Sequence, residues 1–552
     1  MLRRRDGRPL DKVIVLVTGK LDDRCLMMLQ SPPEDLKPPV PMEIVVKADC
    51  SRQEVLAAVG QADVLLTRSE TTVDREVIDA GKNLSVIARA AVGYGNIDVD
   101  YATLQGVLVV NTPGKNTNSA AELTMGLLLN MARLIPSANE IMKQGGWDRH
   151  RFTGSELLGK KIGLIGLGNV GHRVAKFCNG FDMDVYGYDP YVSDDVFRRN
   201  KVTACATVDE ILGLVDILSV HVPLNKETRG MFYKDNLRRM KQGAWVLNAA
   251  RGGVIVEDDL YELLQDGTIA CAGIDTWEDE PTPMAKLVRH PRVVATPHIG
   301  ASTVEAQERI GEAIAVQILK ALRGEIVDFP VNLPNLSVLP GVTDRNASVL
   351  LEKMGRMLAQ LHEFRPQRLV LRIPPEFDRS IHELLAISAI KGYLSNSSDD
   401  YVSYVNARLL FEGRGLTLSV ESFGGHEGGG RSTREIQLEV GGAAAKEQVL
   451  LGAVLYDGRF PRLTLINEFE FETEPSGELL VVTNLDRPGV VGNIGTFLAS
   501  LNVNIAQFDL SRNQTGGEAM SVIRIDSGID DKDLKRLEKI QHVIKVKRIK
   551  GL

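Results

Sequence analysis

Cysteine is scarce in this chain. Five thiols occur among 552 residues, Cys25, Cys50, Cys178, Cys205 and Cys271, and none forms a CxxC pair. An odd, scattered set argues against a disulfide framework or a cysteine-held structural zinc, and it suits a reducing compartment. Long hydrophobic runs are missing too: none approaches the roughly 20 apolar residues that cross a bilayer. The opening MLRRRDGRPLD is basic but lacks the apolar stretch of a secretory signal. A cytoplasmic location is expected, with a trimmed transit peptide and a plastid as the alternative. Excess positive charge is also absent. Lys and Arg number 65 against 72 Asp and Glu, for a formal charge of −7, so nothing points to a nucleic-acid surface. No His/Cys/Asp cluster has ligand spacing, and no metal is expected.

What is present is alternation. A chain of this length should hold several domains. VIVLVT, MEIVVKA, ADVLLTRS, LSVIARAAVGYGNID and VLVVNTPG read as strands, and Ser119 to about Lys143 as a long helix broken at Pro136. Strands and helices then alternate through ACAGIDTW, the pattern of a parallel sheet with helices on both faces. A helix over Ser302–Arg323 returns the chain to the first domain, and a segment carrying Pro330, Pro334 and Pro340 reads as a linker. Beyond it come a helix (ASVLLEKMGRMLAQLH), strands RLVLRI, REIQLEV and RLTLINEFEFE, and a glycine-rich loop, SFGGHEGGGR, read as a flexible surface turn. The last stretch reads as βαββαβ. The expected class is α/β: two Rossmann-like doubly wound domains, an α+β regulatory domain and a C-terminal βαββαβ module. Boundaries are placed at 1–112 with 298–332, then 113–297, 333–474 and 475–552.

The strand KIGLI is followed by Gly166-Leu167-Gly168-Asn169-Val170-Gly171. A GxGxxG alone is a weak signal. Behind a strand, ahead of a helix, and with Asp189 ending the next strand, it is a strong one. Gly166 permits the tight turn, Gly168 admits a pyrophosphate to the backbone, and Gly171 lets helix pack on strand. Asp189 is placed to accept from the ribose hydroxyls and to repel a 2′-phosphate, which favours NAD. Asp275, ending a later strand, is a candidate for the nicotinamide carboxamide.

Oxidising an alcohol removes a proton from oxygen and a hydride from carbon. His298 in TPHIGAS suits the proton, Glu280 in TWEDEP suits orienting an imidazole, and Arg251 in NAARGG suits gripping a carboxylate. Singly, each has an ordinary structural explanation. In this order behind a dinucleotide fingerprint, they describe hydride transfer to or from a 2-hydroxy acid.

These blocks, with NTPGKNTNSAAELTMGLLL and VDILSVHVPLNKETRGM, resemble the D-isomer-specific 2-hydroxy acid dehydrogenases, and among them the long-form D-3-phosphoglycerate dehydrogenases. The resemblance implies that His298 is the general base, assisted by Glu280, with Arg251 polarising the substrate. It implies substrate binding by Arg68, Arg89 and Asn116, with Arg149 reaching a neighbouring subunit. Residues 335–474 resemble the family's intervening regulatory domain, with Arg408 where proline is usual. TNLDRPGVVGNIGTFLASLNVNIAQ resembles an ACT domain, which implies L-serine as effector at Asn484, Asp486 and Asn504 between paired modules. Glycine is usual where Ala91 stands and aspartate where Gly95 stands, and Glu70 is an acid close to a phosphate site from which it is expected to point away. The implied activity is NAD-dependent oxidation of 3-phosphoglycerate by a homo-oligomer, dimer or tetramer, with no membrane or nucleic-acid partner. Two alternatives stay open: another substrate (glycerate, glyoxylate or 2-hydroxyglutarate), and an NAD-sensing, corepressor-like binding protein.

Overall fold

A computed structural model describes residues 11–325, 327–333, 341–395, 402–422 and 435–552. The basic opening and most of the glycine-rich loop lie outside the described residues.

Val13–Thr18, Val64–Thr67 and Val86–Arg89 are apolar almost throughout, so each strand has two faces to bury. All five strands of the first sheet run parallel, in the order Met42–Lys47, Val13–Thr18, Val64–Thr67, Val86–Arg89, Leu108–Val110. On one face Val15, Val17, Leu66 and Ala88 pack with Ile310, Ile314 and Ile318 of the helix Val304–Leu322. On the other, Leu16, Leu65 and Ile87 pack with Val55, Val77 and Ala102 of three short helices. The returning segment also covers the edge strand, with Val331 N–H donating to Val109 O at 2.8 Å and Val109 N–H to Asn332 Oδ1 at 2.9 Å.

The second sheet has seven parallel strands. Numbered along the sequence from the fingerprint strand Lys161–Ile165, their spatial order is 3-2-1-4-5-6-7. The order reverses at that strand, which opens a crevice at its carboxyl end. The long helix predicted over residues 119–143 is two, Thr117–Arg133 and Ile135–Lys143. They part at Leu134, whose φ is 54°, because Pro136 is tolerated in the first turn of the second helix but not inside the first. Helix Asp194–Arg199 and the two-residue strand Thr203–Ala204 were not anticipated; both are too short to leave a periodic signal.

A third, six-stranded sheet is mixed: Arg368–Ile373 runs parallel to Thr417–Ser422, and the remaining pairs are antiparallel. Here RLTLINEFEFE is not one strand but a hairpin, Phe460–Ile466 and Phe469–Thr473. It turns at Asn467, with φ 52°, a residue type that adopts left-handed backbone more readily than most. Arg408, at the position where the family's proline was expected, lies in the helix Ala407–Gly413 and makes a bidentate pair with Glu383 at 2.8 and 2.8 Å.

The C-terminal module is the βαββαβ unit expected, with four antiparallel strands. Leu480, Val482 and Ile523 face its own two helices. The intervening residues Leu479, Val481 and Val522 face the other way, into a core shared with Leu351, Met354 and Leu358 of the helix Val342–Leu361. Both sides of that sheet are therefore occupied within one chain. Gln360 ties the same helix to Lys550 through two hydrogen bonds, at 3.0 and 3.2 Å. No helix among the described residues is long and apolar enough to cross a membrane.

Candidate active site

Parallel strands deliver their carboxyl ends to one side, and the candidate residues gather there. The first sheet brings Arg68 and Arg89. The second brings the fingerprint turn, Asp189, Arg251, Asp275 and His298. The two edges meet: a Cβ placed on Gly93 would lie 3.2 Å from Arg251 Nη2, and one on Gly114 would lie 3.6 Å from Asn169 Nδ2.

The fingerprint glycines divide by what surrounds them. Gly166 has φ 94° and a virtual Cβ 2.9 Å from His221 O, so both conformation and space demand glycine. At Gly171 the Cβ would strike Gly166 O at 2.0 Å, the close packing of helix on strand. Gly168 is different. Its φ is −70° and a Cβ would meet nothing within 4 Å. The protein does not require glycine there, but a phosphate approaching the amino end of helix Asn169–Gly180 does. Asp189 stands over the turn, one oxygen accepting from Leu167 N–H at 2.8 Å and the other from Tyr191 N–H at 2.9 Å. It remains partly exposed, with lone pairs left for ribose hydroxyls. Asn169 is exposed and Val170 packs below it. This set fits a dinucleotide.

His298 Nδ1 and Glu280 Oε2 are 2.8 Å apart, and Glu280 Oε1 accepts from Trp277 N–H at 2.9 Å. With Nδ1 engaged, Nε2 is the ring atom left for a substrate hydroxyl. Partial burial raises the Glu280 carboxyl, but the His298 and Trp277 hydrogen bonds outweigh it and hold the group below its ordinary value. His298 itself has φ 53°, and its N–H donates to Asp275 O at 2.8 Å.

Asp275, the carboxamide candidate, is enclosed by the turn that carries His298. It is 0% exposed, and its carboxylate accepts from Thr296 Oγ1 (2.7 Å), Ile299 N–H (2.8 Å) and Gly300 N–H (2.9 Å). In this arrangement it offers no surface to a carboxamide. It holds the turn that carries His298, a left-handed conformation that costs a non-glycine residue about 1–2 kcal/mol.

Arg251 is steered by backbone. Asn248 Nδ2 donates to its carbonyl at 2.9 Å, and a Cβ on the neighbouring Gly252 would lie 1.8 Å from Trp277 O. The loop thus crosses directly over the strand end that leads to Glu280. Burial lowers the Arg251 pKa, and Glu280 opposes that shift. Arg89 is 7% exposed and is lowered to about 10, first by burial, then by the charge of Arg68, with Glu70 opposing and Arg251 adding to the shift. Three guanidinium groups therefore share one electrostatic neighbourhood, an arrangement that favours an anion among them. Arg68 Nη1 donates to Lys20 O at 2.8 Å. Glu70 does not turn away as expected: Oε2 lies 3.1 Å from the Cβ position of Gly19, beside the Arg68 stem. The steric role of Gly252 within NAARGG and the bridging role of Asn96, which bonds both arginine loops, escaped sequence reasoning because each depends on a partner in another loop.

Asn116 occupies the position before helix Thr117–Arg133 without a side-chain capping bond, two residues beyond Gly114. Arg149 is exposed in the short helix Arg149–Phe152, beside the exposed Trp147. Neither joins the arginine cluster through a hydrogen bond among the described residues.

The effector candidates are not brought together within one chain. Asn484 is buried in its strand, with Nδ2 donating to Leu485 O at 2.8 Å. Asp486 accepts from Arg512 Nη1 and Gly516 N–H, both at 3.1 Å, at one end of the sheet. Asn504 donates to Asp526 Oδ2 at 2.6 Å at the other end. A strand's length, roughly 25 Å, separates those ends.

Comparison with known proteins matches the dinucleotide-binding and C-terminal regions of the chain. The NAD binding domain of the D-isomer specific 2-hydroxyacid dehydrogenases matches residues 125–300, and an ACT domain matches residues 479–542. A D-3-phosphoglycerate dehydrogenase from Methanocaldococcus jannaschii is 34% identical over 531 residues, 96% of this chain and 98% of its own length. The chain belongs to the D-3-phosphoglycerate dehydrogenase family. A second D-3-phosphoglycerate dehydrogenase, from Mycobacterium tuberculosis, is 37% identical over 484 residues, 87% of this chain and 90% of its own. Among solved structures, D-lactate dehydrogenase from Aquifex aeolicus complexed with NAD and lactic acid matches with a TM-score of 0.50 at 26% identity. That match covers 57% of this chain and 98% of the lactate enzyme. The phosphoglycerate dehydrogenases thus extend over the C-terminal layers, whereas the lactate enzyme spans little more than half of the chain.

Proposed function

We propose that the chain oxidises 3-phospho-D-glycerate to 3-phosphohydroxypyruvate with NAD, the opening step of L-serine synthesis, as a cytoplasmic homo-oligomer regulated by L-serine. The observation that carries the reading is the pairing of a His298–Glu280 dyad with three neighbouring guanidinium groups at the carboxyl edge of a dinucleotide sheet. Gly166, Gly168 and Gly171 would hold the pyrophosphate and Asp189 the ribose. NAD, when bound, supplies the hydride acceptor.

In this reading Arg251 grips the substrate carboxylate and polarises the adjacent oxygen. His298 Nε2 takes the hydroxyl proton, and the Glu280 carboxylate, accepting from His298 Nδ1, stabilises the imidazolium that forms. Arg68 and Arg89 provide a second anionic grip for the phosphate, which a lactate- or glyoxylate-type substrate would not use. Asn116 and a partner's Arg149 would complete the pocket. Because Asp486 and Asn504 lie at opposite ends of the C-terminal sheet, a serine site using both requires two modules paired in opposite directions.

Steady-state NADH formation at alkaline pH tests the reading, comparing 3-phosphoglycerate with D-glycerate, each with and without L-serine. Turnover that depends on the phosphate and falls with serine supports it. Equal turnover on D-glycerate points to a broader hydroxy acid dehydrogenase. No turnover on either, with NADH still bound, points to a sensor.

A further inference from the structure

One amide stands between the loops that carry Arg68 and Arg89. Asn96 Oδ1 accepts from Arg89 Nε at 2.9 Å, while Nδ2 donates to Arg68 O at 2.9 Å and to Thr71 O at 2.6 Å. Its own carbonyl accepts from Val73 N–H at 2.8 Å. The side chain thus ties the end of Val86–Arg89 to the segment that follows Val64–Thr67.

The chemistry of guanidinium gives this tie a consequence. A carboxylate or phosphate can take two donors from arginine along either of two edges: Nε with one terminal nitrogen, or the two terminal nitrogens. With Nε committed to Asn96, Arg89 presents the terminal pair. Arg89 is buried, and its terminal nitrogens make no hydrogen bond among the described residues. Arg68 is fastened at the far side of the same frame by Lys20 O.

We propose that Asn96 is a positioning residue that sets the separation and orientation of the Arg68 and Arg89 guanidinium groups, and so the preference for a substrate bearing a second, phosphoryl anion. The proposal rests on the phosphoglycerate reading. Asn96 does not touch the substrate; it acts through the two arginines.

The test uses the full-length chain with Asn96→Ala and Asn96→Asp. KM and kcat are measured on 3-phosphoglycerate and D-glycerate, and NADH affinity by fluorescence. Asn96→Ala is expected to raise KM for 3-phosphoglycerate on the order of tenfold, with kcat, D-glycerate KM and NADH affinity within about twofold. Asn96→Asp keeps an acceptor for Arg89 but neutralises it and loses both donated bonds. It should lose the same preference, and it carries the test if the alanine variant does not fold. An unchanged preference in the folded variants, or an equal loss on both substrates together with weaker NADH binding, overturns the proposal. A wild-type enzyme without phosphate preference removes the phosphoglycerate reading itself, and that failure is visible before any variant is made.

Discussion

Substituting Gly252 by alanine adds one methyl group and should disable the enzyme. Its Cβ would lie 1.8 Å from Trp277 O, 2.0 Å from Trp277 C and 2.5 Å from Glu278 N, all backbone atoms. Ordinary contact begins near 3.4 Å, so one segment must retreat by about 1.6 Å, and no side-chain rotation can relieve it. Either the loop lifts and carries Arg251 with it, or the strand end shifts and carries Glu280 and His298. Overpacking of this kind costs about 1–3 kcal/mol in stability. A displacement of about 1 Å between catalytic groups costs on the order of 10²-fold in rate. Gly252→Ala should therefore lower kcat/KM on the order of a hundredfold while the fingerprint, some distance away along the sheet, still binds NADH. Gly95→Ala is the control, since a Cβ there meets nothing within 4 Å, and it should stay within about twofold of wild type. Stopped-flow turnover and NADH fluorescence titration on both variants decide the matter. A Gly252→Ala enzyme with wild-type kcat/KM would show that Arg251 and the His298–Glu280 dyad need not be held in register, and the reasoning would fall.

Further expectations concern single side chains. His298→Ala should lower kcat by roughly 10²–10⁴-fold with NADH affinity intact; unchanged turnover would take His298 out of the mechanism. Glu70→Gln removes an acid beside the arginine cluster, so KM for 3-phosphoglycerate should fall a few-fold at low salt and less at about 0.5 M salt. A rise in KM would mean that Glu70 helps to position Arg68. Asn504→Ala should weaken any serine response, whose coupling is expected on the order of 1–3 kcal/mol; an identical serine titration in the variant would exclude the site. Burial pulls His221 down from 6.5 to about 4. Its folded pKa is depressed, so the stability it supports is intact above pH 6.5 and is lost as pH falls toward about 4, by up to about 1.4 kcal/mol per unit. His221→Gln should flatten the fall in melting temperature between pH 7 and pH 5, and equal slopes for variant and wild type would refute that account.

How much of this was legible beforehand depended on how local each signal is. The strands Val13–Thr18 and Lys161–Ile165 and the fingerprint turn are written in contiguous residues, and the structure places them as the sequence pattern predicts. So are the six elements of the C-terminal module, each a short run of alternating or helical apolar residues. The hairpin at Asn467 was missed because continuous β-forming residues on either side mask a two-residue turn. Asp275 was given to the cofactor from its strand-end position, but its partners lie in the loop from Thr296 to Gly300, beyond the reach of periodicity. Gly252 has meaning only through Trp277 and Glu278, and Asn96 through Arg89 on the preceding strand together with Arg68 and Thr71 more than twenty positions away. Asp486 and Asn504 were grouped through the ACT resemblance, and the strand register shows that within one module they sit at opposite ends.

The core shared by the C-terminal sheet and helix Val342–Leu361 has a practical consequence for anyone who cuts or recombines this chain. A boundary near residue 475 is convenient in sequence yet runs through the middle of an apolar layer. A shortened enzyme ending there would uncover one side of that helix, and the excised module would uncover one side of its sheet, so both fragments should become sticky. Swapping regulatory modules between relatives is better done with residues 341–552 moved as one piece, so that the layer travels with both of its halves.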